Sequence, residues 1–90
     1  MAFYCYVTFP TTFYAIQAEE TLKEKGYQFK MIPVPRVISS SCGTALRCDC
    51  GDLESVRESL INREVEIEAY YRLEEIGLKT PEVEELFFND

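Results

Sequence analysis

The chain has 90 residues and a formal net charge of −7, from sixteen acidic against nine basic side chains. A chain of this length holds one hydrophobic core, so residues 1–90 are expected to form a single domain. The excess negative charge argues against binding to nucleic acid or to an anionic membrane surface.

The hydrophobic pattern predicts strands alternating with two helices. In chain order the predicted elements are strand Phe3–Phe9, a helix from Thr11 or Thr12 to about Lys25, strand Tyr27–Ile32, a strand from about Gly43 to Asp49, a helix from Asp52 to about Asn62, and strand Val65–Leu73. Gly26 suits the position after the first helix because glycine adopts left-handed backbone conformations easily. The residues expected to face the core from the two helices are Ala15, Ile16, Ala18 and Leu22, then Leu53, Val56, Leu60 and Ile61.

The C-terminal segment predicts a short third helix. Thr80-Pro81-Glu82 combines a capping residue, a proline suited to the first helical position and an acidic first turn. Leu86, Phe87 and Phe88 are then expected either to dock on the domain or to take part in a homodimer contact.

The order β-α-β-β-α-β predicts an α+β fold of the ferredoxin-like type. This fold has a four-stranded antiparallel sheet in the order 4-1-3-2, with both helices on one face, and the short C-terminal helix would be added to it. In this topology the end of the first strand, the start of the first helix and the Pro33–Gly43 loop lie at the same end of the sheet.

The Pro33–Gly43 loop is the candidate functional segment, because long loops in small domains more often serve function. Thr11 and Thr12, with the free amides of the first helical turn, are expected near this loop and would favour an anion such as a thiolate on Cys42. Arg36 adds a positive charge and Gly43 permits close backbone approach. Three further residues can donate hydrogen bonds to sulfur or to an oxyanion: Ser39, Ser40 and Ser41. The residue pattern favours equally a plain interpretation, in which Cys42 is a small residue at a strand start and the serines form a turn.

The remaining cysteines predict no metal site. No secretory signal is evident, since Phe3–Phe9 lacks a preceding basic region and is too short to span a membrane, so a cytoplasmic location is expected. Cysteines there are expected to be free thiols, metal ligands or redox groups rather than structural disulfides. Cys5 is predicted to be a buried apolar residue, Cys48 to face the core, and Cys50 to lie in a solvent-exposed turn. Strand geometry places Cys48 roughly 20 Å from Cys42, too far to share a metal.

Other chemical groups are sparse. The sequence contains no histidine, the usual general base and metal ligand. Glu66 and Glu68 are expected on the outer face of the last predicted strand and form no convincing catalytic pair. Tyr71 is expected in the core and Tyr70 at an edge.

Two segments carry a resemblance to a known family. The run Tyr6-Val7-Thr8-Phe9-Pro10-Thr11-Thr12 and the segment Ile32–Arg47, with its core Pro35-Arg36-Val37-Ile38-Ser39-Ser40-Ser41-Cys42-Gly43, resemble the small bacterial family described as putative selenium/sulfur carrier protein-like. The resemblance covers roughly the first two-thirds of the chain. It implies that Cys42 accepts sulfur or selenium as a persulfide or selenopersulfide and passes it on, and that Arg36, Ser39–Ser41 and Gly43 shape its pocket. It also implies a donor protein such as a cysteine desulfurase and an acceptor protein. No cofactor is expected, and a carrier of this kind need not be an enzyme in the strict sense.

Two other functions stay open. In the first, the Pro33–Gly43 loop is an anion pocket of a non-catalytic small-ligand binding or regulatory module, because ferredoxin-like domains often bind small ligands. In the second, Cys42 is a redox thiol resolved by another cysteine. The distance along the strand argues against Cys48 or Cys50 as that partner, since a disulfide needs Cα atoms within about 7 Å.

Overall fold

The computed structural model describes residues 2–38, 40–75 and 82–87. Its elements in chain order are β1 Ala2–Thr8, α1 Thr12–Lys25, β2 Phe29–Pro33, β3 Thr44–Asp49, a 3-10 turn Cys50–Asp52, α2 Leu53–Asn62, β4 Ala69–Glu75 and β5 Glu82–Leu86. No helix in these ranges is both long and apolar enough to cross a membrane.

The strands form one antiparallel sheet in the order β2-β3-β1-β4-β5. The α+β class and the predicted arrangement of the first four strands are confirmed, but the predicted number of four strands is wrong. β5 pairs with the outer edge of β4, from Tyr70 opposite Leu86 to Glu74 opposite Glu82. The predicted C-terminal helix is therefore wrong over Glu82–Leu86, while its cap at Thr80-Pro81 lies outside the described residues.

An open sheet edge explains why the helix signal fails. The outer edge of β4 presents backbone donors and acceptors, and an added strand pairs with them from Tyr70 to Glu74. Opposite charges support this register, because Arg72 on β4 lies across from Glu84 on β5 and forms an ion pair with it at 3.0 Å.

The main core lies between the sheet and the two helices. Its fully buried members include Val7, Phe9, Ala18, Leu22, Leu46, Val56 and Leu60. Two predictions about the helix faces are wrong: Ile16 is 53% exposed and Ile61 is 44% exposed. Thr21 and Ser59 are buried instead, because these small polar side chains lie closer to the centre of the buried faces.

A second buried cluster covers the opposite face of the sheet. It consists of Tyr6, Ile38, Ala45 and Leu73. Because β1 has buried side chains on both faces, its prediction as a central strand is confirmed.

The ends of α1 follow the predicted signals. Thr11 is the N-cap residue, and its side-chain oxygen accepts a hydrogen bond from the backbone N–H of Tyr14 at 3.5 Å. Gly26 has a φ of 78° and its N–H donates to the carbonyl groups of Leu22 and Lys23. Asp52 precedes α2 as predicted, but its side chain makes no capping hydrogen bond.

β4 begins at Ala69, four residues later than predicted. Val65 and Ile67 pack on the helix-side core without joining the sheet. Within β4, Tyr71 packs on the second cluster and Tyr70 on the helix-side core, so the two tyrosines lie on opposite faces of the sheet.

The expectation of free cysteines is wrong for two of the four. Cys5 on β1 and Cys50 in the 3-10 turn form a disulfide, with Cα atoms 5.0 Å apart. They meet because the antiparallel register of β1 and β3 sets Cys5 opposite Cys48, two residues before Cys50. Cys42 and Cys48 are free thiols.

Candidate functional site

The loop between β2 and β3 is anchored to the sheet face opposite the helices. Ile38 is only 4% exposed and packs in the second cluster with Tyr6, Ala45 and Leu73. The backbone N–H of Ile38 donates to the carbonyl oxygen of Pro35 at 3.0 Å, which closes a turn within the loop. The loop therefore has a hydrophobic anchor of its own.

The Cys42 thiol lies near the end of this loop, partly exposed and in contact with the helix-side core. Its Sγ donates to the carbonyl oxygen of Thr44 at 3.2 Å and accepts from the backbone N–H of Thr44 at 3.5 Å. The hydroxyl of Ser40 lies 3.8 Å from the same sulfur. Two donors are thus available to a sulfur atom that carries negative charge.

Gly43 provides the turn that leads from Cys42 into β3. Its φ is 74°, in the left-handed region that a side chain would disfavour. Its carbonyl oxygen accepts a hydrogen bond from the backbone N–H of Val34 at 3.0 Å. The loop is therefore closed immediately after the cysteine.

A carboxylate holds the residue immediately before the cysteine. Glu68 accepts a hydrogen bond from the backbone N–H of Ser41 at 3.1 Å on one oxygen, and one from the Ser41 hydroxyl on the other. The backbone N–H of Glu68 donates to the carbonyl oxygen of Thr8 at 2.8 Å, at the end of β1. The Ser41 hydroxyl and, to a smaller degree, the Ser41 N–H and the hydroxyls of Thr8 and Ser40 lower the pKa of Glu68.

Sequence reasoning missed Glu68 because it placed this residue within a strand. Since β4 begins only at Ala69, Glu68 lies at the end of the sheet where β1 finishes. The predicted topology already places this end of the sheet beside the Pro33–Gly43 loop. A strand predicted to begin at Ala69 instead of Val65 would therefore have placed Glu68 next to the loop.

Among the predicted site residues, Ser40 is the one whose side chain contacts the Cys42 sulfur in the part of the chain that the structure describes. Ser40 and Thr44 supply the hydrogen bonds that described residues make to the sulfur, and Ser41 and Gly43 flank it in the chain. Arg36 is exposed, as are Thr11 and Thr12, and Thr11 already caps α1. Ser39 lies outside the described residues.

A cavity of about 310 Å³ opens beside the loop and is lined by Ser40, Ser41, Glu68 and Tyr71. Burial and then the nearby Glu85 carboxylate raise the pKa of Tyr71, which keeps its phenol neutral. The lining therefore combines hydroxyl groups with one negative charge, and it suits hydrogen-bond donors better than anions.

A larger cavity, of about 390 Å³, lies away from Cys42 and is lined in part by Tyr4, Lys30, Arg47 and Cys48. The guanidinium of Arg47 stacks over the Tyr4 ring at 4.6 Å. Burial, with smaller effects from Asp52 and Asp49, raises the pKa of Cys48 to about 12, so this cavity lacks a thiol that ionises near neutral pH. The smaller cavity, by contrast, is lined by two residues of the loop that contains Cys42, Ser40 and Ser41.

Comparison with known proteins identifies a family. No curated protein and no solved structure matches the chain. Residues 4–72 match the family model described as Putative Se/S carrier protein-like, and this range includes the whole Pro33–Gly43 loop and Glu68. Because the match covers well over half of the sequence, the chain belongs to the Putative Se/S carrier protein-like family.

Proposed function

We propose that this protein is a sulfur or selenium carrier that accepts a persulfide or selenopersulfide on Cys42 and passes it to an acceptor protein. The observation that supports this most is the setting of the Cys42 thiol: partly exposed, in a loop closed on both sides, with the Thr44 N–H and the Ser40 hydroxyl at its sulfur. The family name indicates the same class of function.

The sulfur form of the reaction needs no external oxidant or reductant. The Cys42 thiolate attacks the terminal sulfur of a cysteine persulfide on a donor protein such as a cysteine desulfurase. The donor S–S bond breaks as the new S–S bond on Cys42 forms, and the donor cysteine leaves as a thiolate. A thiolate on the acceptor protein then attacks the terminal sulfur and releases Cys42 as a thiolate.

The loop contributes position and hydrogen bonding to this exchange. The Thr44 N–H donates to the Cys42 sulfur, and the same bond would stabilise the negative charge that this sulfur carries as it attacks the donor and as it leaves the acceptor. Partial exposure lets a donor reach the sulfur, and the contact with the helix-side core fixes the direction of the side chain.

The alternative function, binding of a small anion by the Pro33–Gly43 loop, has less support than the carrier function. The cavity beside the loop contains the Glu68 carboxylate, which repels an anion, and Arg36 is exposed. A pocket built for phosphate would direct cationic or backbone N–H groups inward, whereas here the Ser41 N–H is already bound to Glu68.

An intramolecular redox pair also has less support. Cys5 and Cys50 are already bonded to each other. Cys48 lies near the far end of β3, with Thr44 and the Cys42 loop at the other end. A second thiol that could resolve oxidised Cys42 is therefore absent from its vicinity among the described residues.

Intact mass after incubation with a cysteine desulfurase and cysteine tests the carrier function. The native protein is expected to gain about 32 Da or a multiple, as a persulfide would, and to lose it on reduction. Cys42→Ser is expected to gain nothing, whereas the matched control Cys48→Ser should load like the native protein. No gain in the native protein, or equal gain in Cys42→Ser, would exclude Cys42 as the acceptor.

A further inference from the structure

We propose that Glu68 is the positioning residue of the Cys42 loop. Its carboxylate holds Ser41, and through Ser41 it orients the Cys42 thiol, both when this thiol attacks the donor protein and when the acceptor protein attacks the sulfur bound to it. The claim about orientation for sulfur transfer rests on the proposed function. The claim that Glu68 orders the loop does not.

The contacts form a continuous connection from the sheet to the cysteine. The N–H of Glu68 is bonded to the carbonyl oxygen of Thr8 at the end of β1, which fixes the backbone of Glu68. Both carboxylate oxygens then accept hydrogen bonds from Ser41, one from its N–H and one from its hydroxyl. Two bonds to one residue fix the peptide between Ser40 and Ser41 as well as the Ser41 side chain.

On its other side, Cys42 is fixed by the bond from Val34 to the carbonyl oxygen of Gly43. The cysteine therefore lies between two restrained residues, and Glu68 supplies the restraint that is not part of the β2–β3 pairing. Among the described residues, Ser41 is bonded to Glu68, and Glu68 is bonded in turn to the end of β1.

Charge makes this connection stronger than a bond between neutral groups. An ionised carboxylate forms shorter and stronger hydrogen bonds than a neutral acceptor does. The charged and titratable groups that face Glu68 are Arg57 from α2, Glu85 from β5 and Tyr71 from β4. The hydrogen bonds from Ser41 lower the pKa of Glu68, so its carboxylate stays ionised near neutral pH.

The direction of the pH effect follows from the Ser41 bonds. These bonds lower the pKa of Glu68 from its ordinary value of 4.5, although a smaller desolvation effect on this exposed side chain opposes them. A lowered pKa in the folded state means that the carboxylate stabilises the folded loop above pH 4.5, and that this contribution is lost as the pH falls through the lower folded-state pKa. The loop is therefore held throughout the neutral range.

The Ser41 amide tests the connection directly. In a pH series of ¹⁵N–¹H spectra of the native protein, the Ser41 cross-peak is expected to shift with a midpoint below pH 4.5, because its N–H senses the carboxylate. The shift should disappear in Glu68→Gln and persist in Glu66→Ala, an exposed neighbour. A Ser41 peak that titrates alike in the native protein and Glu68→Gln would overturn the proposal.

Two rates separate positioning from a general loss of structure. Glu68→Ala removes a negative charge near the thiol and frees the loop, so iodoacetamide is expected to alkylate Cys42 roughly three- to tenfold faster. The rate at which the desulfurase loads sulfur onto Cys42 is expected to fall by a similar factor. In this variant, docking of the desulfurase must also order the loop, which costs conformational entropy. For both rates, Glu68→Gln should lie between the native protein and Glu68→Ala, and Glu66→Ala should match the native protein. Alkylation and loading rates that do not change in Glu68→Ala would refute the positioning role.

A double-mutant cycle decides whether Glu68 acts through Ser41. The effects of Glu68→Ala and Ser41→Ala on the alkylation rate should be clearly less than additive. Full additivity would show that the carboxylate acts by another route. If the native protein takes up no sulfur at all, the proposed function fails, while the Ser41 titration and the alkylation rates still decide the role of Glu68.

Discussion

The two free thiols lie in different environments, and the difference is the one that the proposed carrier function requires. Cys48 is 3% exposed, and burial followed by Asp52 and Asp49 raises its pKa to about 12, three units above the ordinary value of 9.0. Its thiolate is therefore about a thousandfold rarer than that of an ordinary thiol. Cys42 is partly exposed and has donors at its sulfur. Among the described residues it is the thiol that partner proteins can reach.

Truncation of Ile38 should release the loop from the sheet. We expect Ile38→Ala to lower the free energy of unfolding by about 2–4 kcal/mol, since Ile38 is 4% exposed within the second cluster. Denaturant unfolding of this variant measures the loss. The adjacent Val37, which is 37% exposed, supplies the matched control, and Val37→Ala should change stability by less than about 1 kcal/mol. Equal losses in both variants would show that Ile38 is not an anchor.

Sequence reasoning found Cys42, Ser40, Ser41 and Gly43 because these residues are contiguous in the loop. It missed Glu68 because the contact with Ser41 spans 27 residues and depends on where β4 begins. The assignment of Thr11 and Arg36 to the site, from topology and charge, stays a prediction; in the structure Thr11 caps α1 and Arg36 is exposed. Local sequence predicts neighbours in the chain better than neighbours across the fold.

At the scale of the element, local signals succeed at both ends of α1, whereas the predicted side-chain cap at Asp52 does not form and the predicted C-terminal helix is wrong. The α1 cap at Thr11 and the left-handed Gly26 are satisfied by residues within a few positions. The segment Glu82–Leu86 instead forms β5, because its backbone can form hydrogen bonds with the unpaired N–H and C=O groups along the edge of β4. A weak local preference for helix does not outweigh a full set of ladder hydrogen bonds.

Substitution at Gly26 isolates the contribution of backbone conformation. Gly26→Ala is expected to lower stability by about 1 kcal/mol, because its φ of 78° disfavours a side chain although no atom lies within 4 Å of the added Cβ. Gly51→Ala is the control, since Gly51 has the same open space without a left-handed φ, and it should cost much less. Thermal unfolding of both variants measures the difference, and an equal cost would refute the conformational explanation.

At the scale of the whole molecule, the disulfide and the candidate site lie toward opposite ends of β3. Cys50 follows the C-terminal end of that strand, where it is bonded to Cys5, and Cys42 precedes its N-terminal end. The disulfide joins β1 to the turn before α2, so it ties together segments 45 residues apart in sequence. Its reduction should therefore change stability without disturbing Cys42.

Reduction of the Cys5–Cys50 bond is expected to lower the free energy of unfolding by about 2–4 kcal/mol, as chain-entropy arguments give for a loop of this length. Urea unfolding with and without dithiothreitol measures the change. Cys5→Ala, which cannot form the bond, should unfold identically under both conditions. A native protein that is equally insensitive to dithiothreitol would contradict a stabilising disulfide.

The sequence by itself determined the α+β class, the arrangement of the first four strands, the caps of α1 and the candidate nucleophile. These features depend on periodicity, turn chemistry and contiguous motifs, which are local. Only the tertiary structure decided the fifth strand, the Cys5–Cys50 disulfide, the Ile38 anchor and the bond between Glu68 and Ser41. Each of these joins distant segments, and its existence depends on the exact register and end of a strand, where a change of one residue moves a side chain to the other face of the sheet.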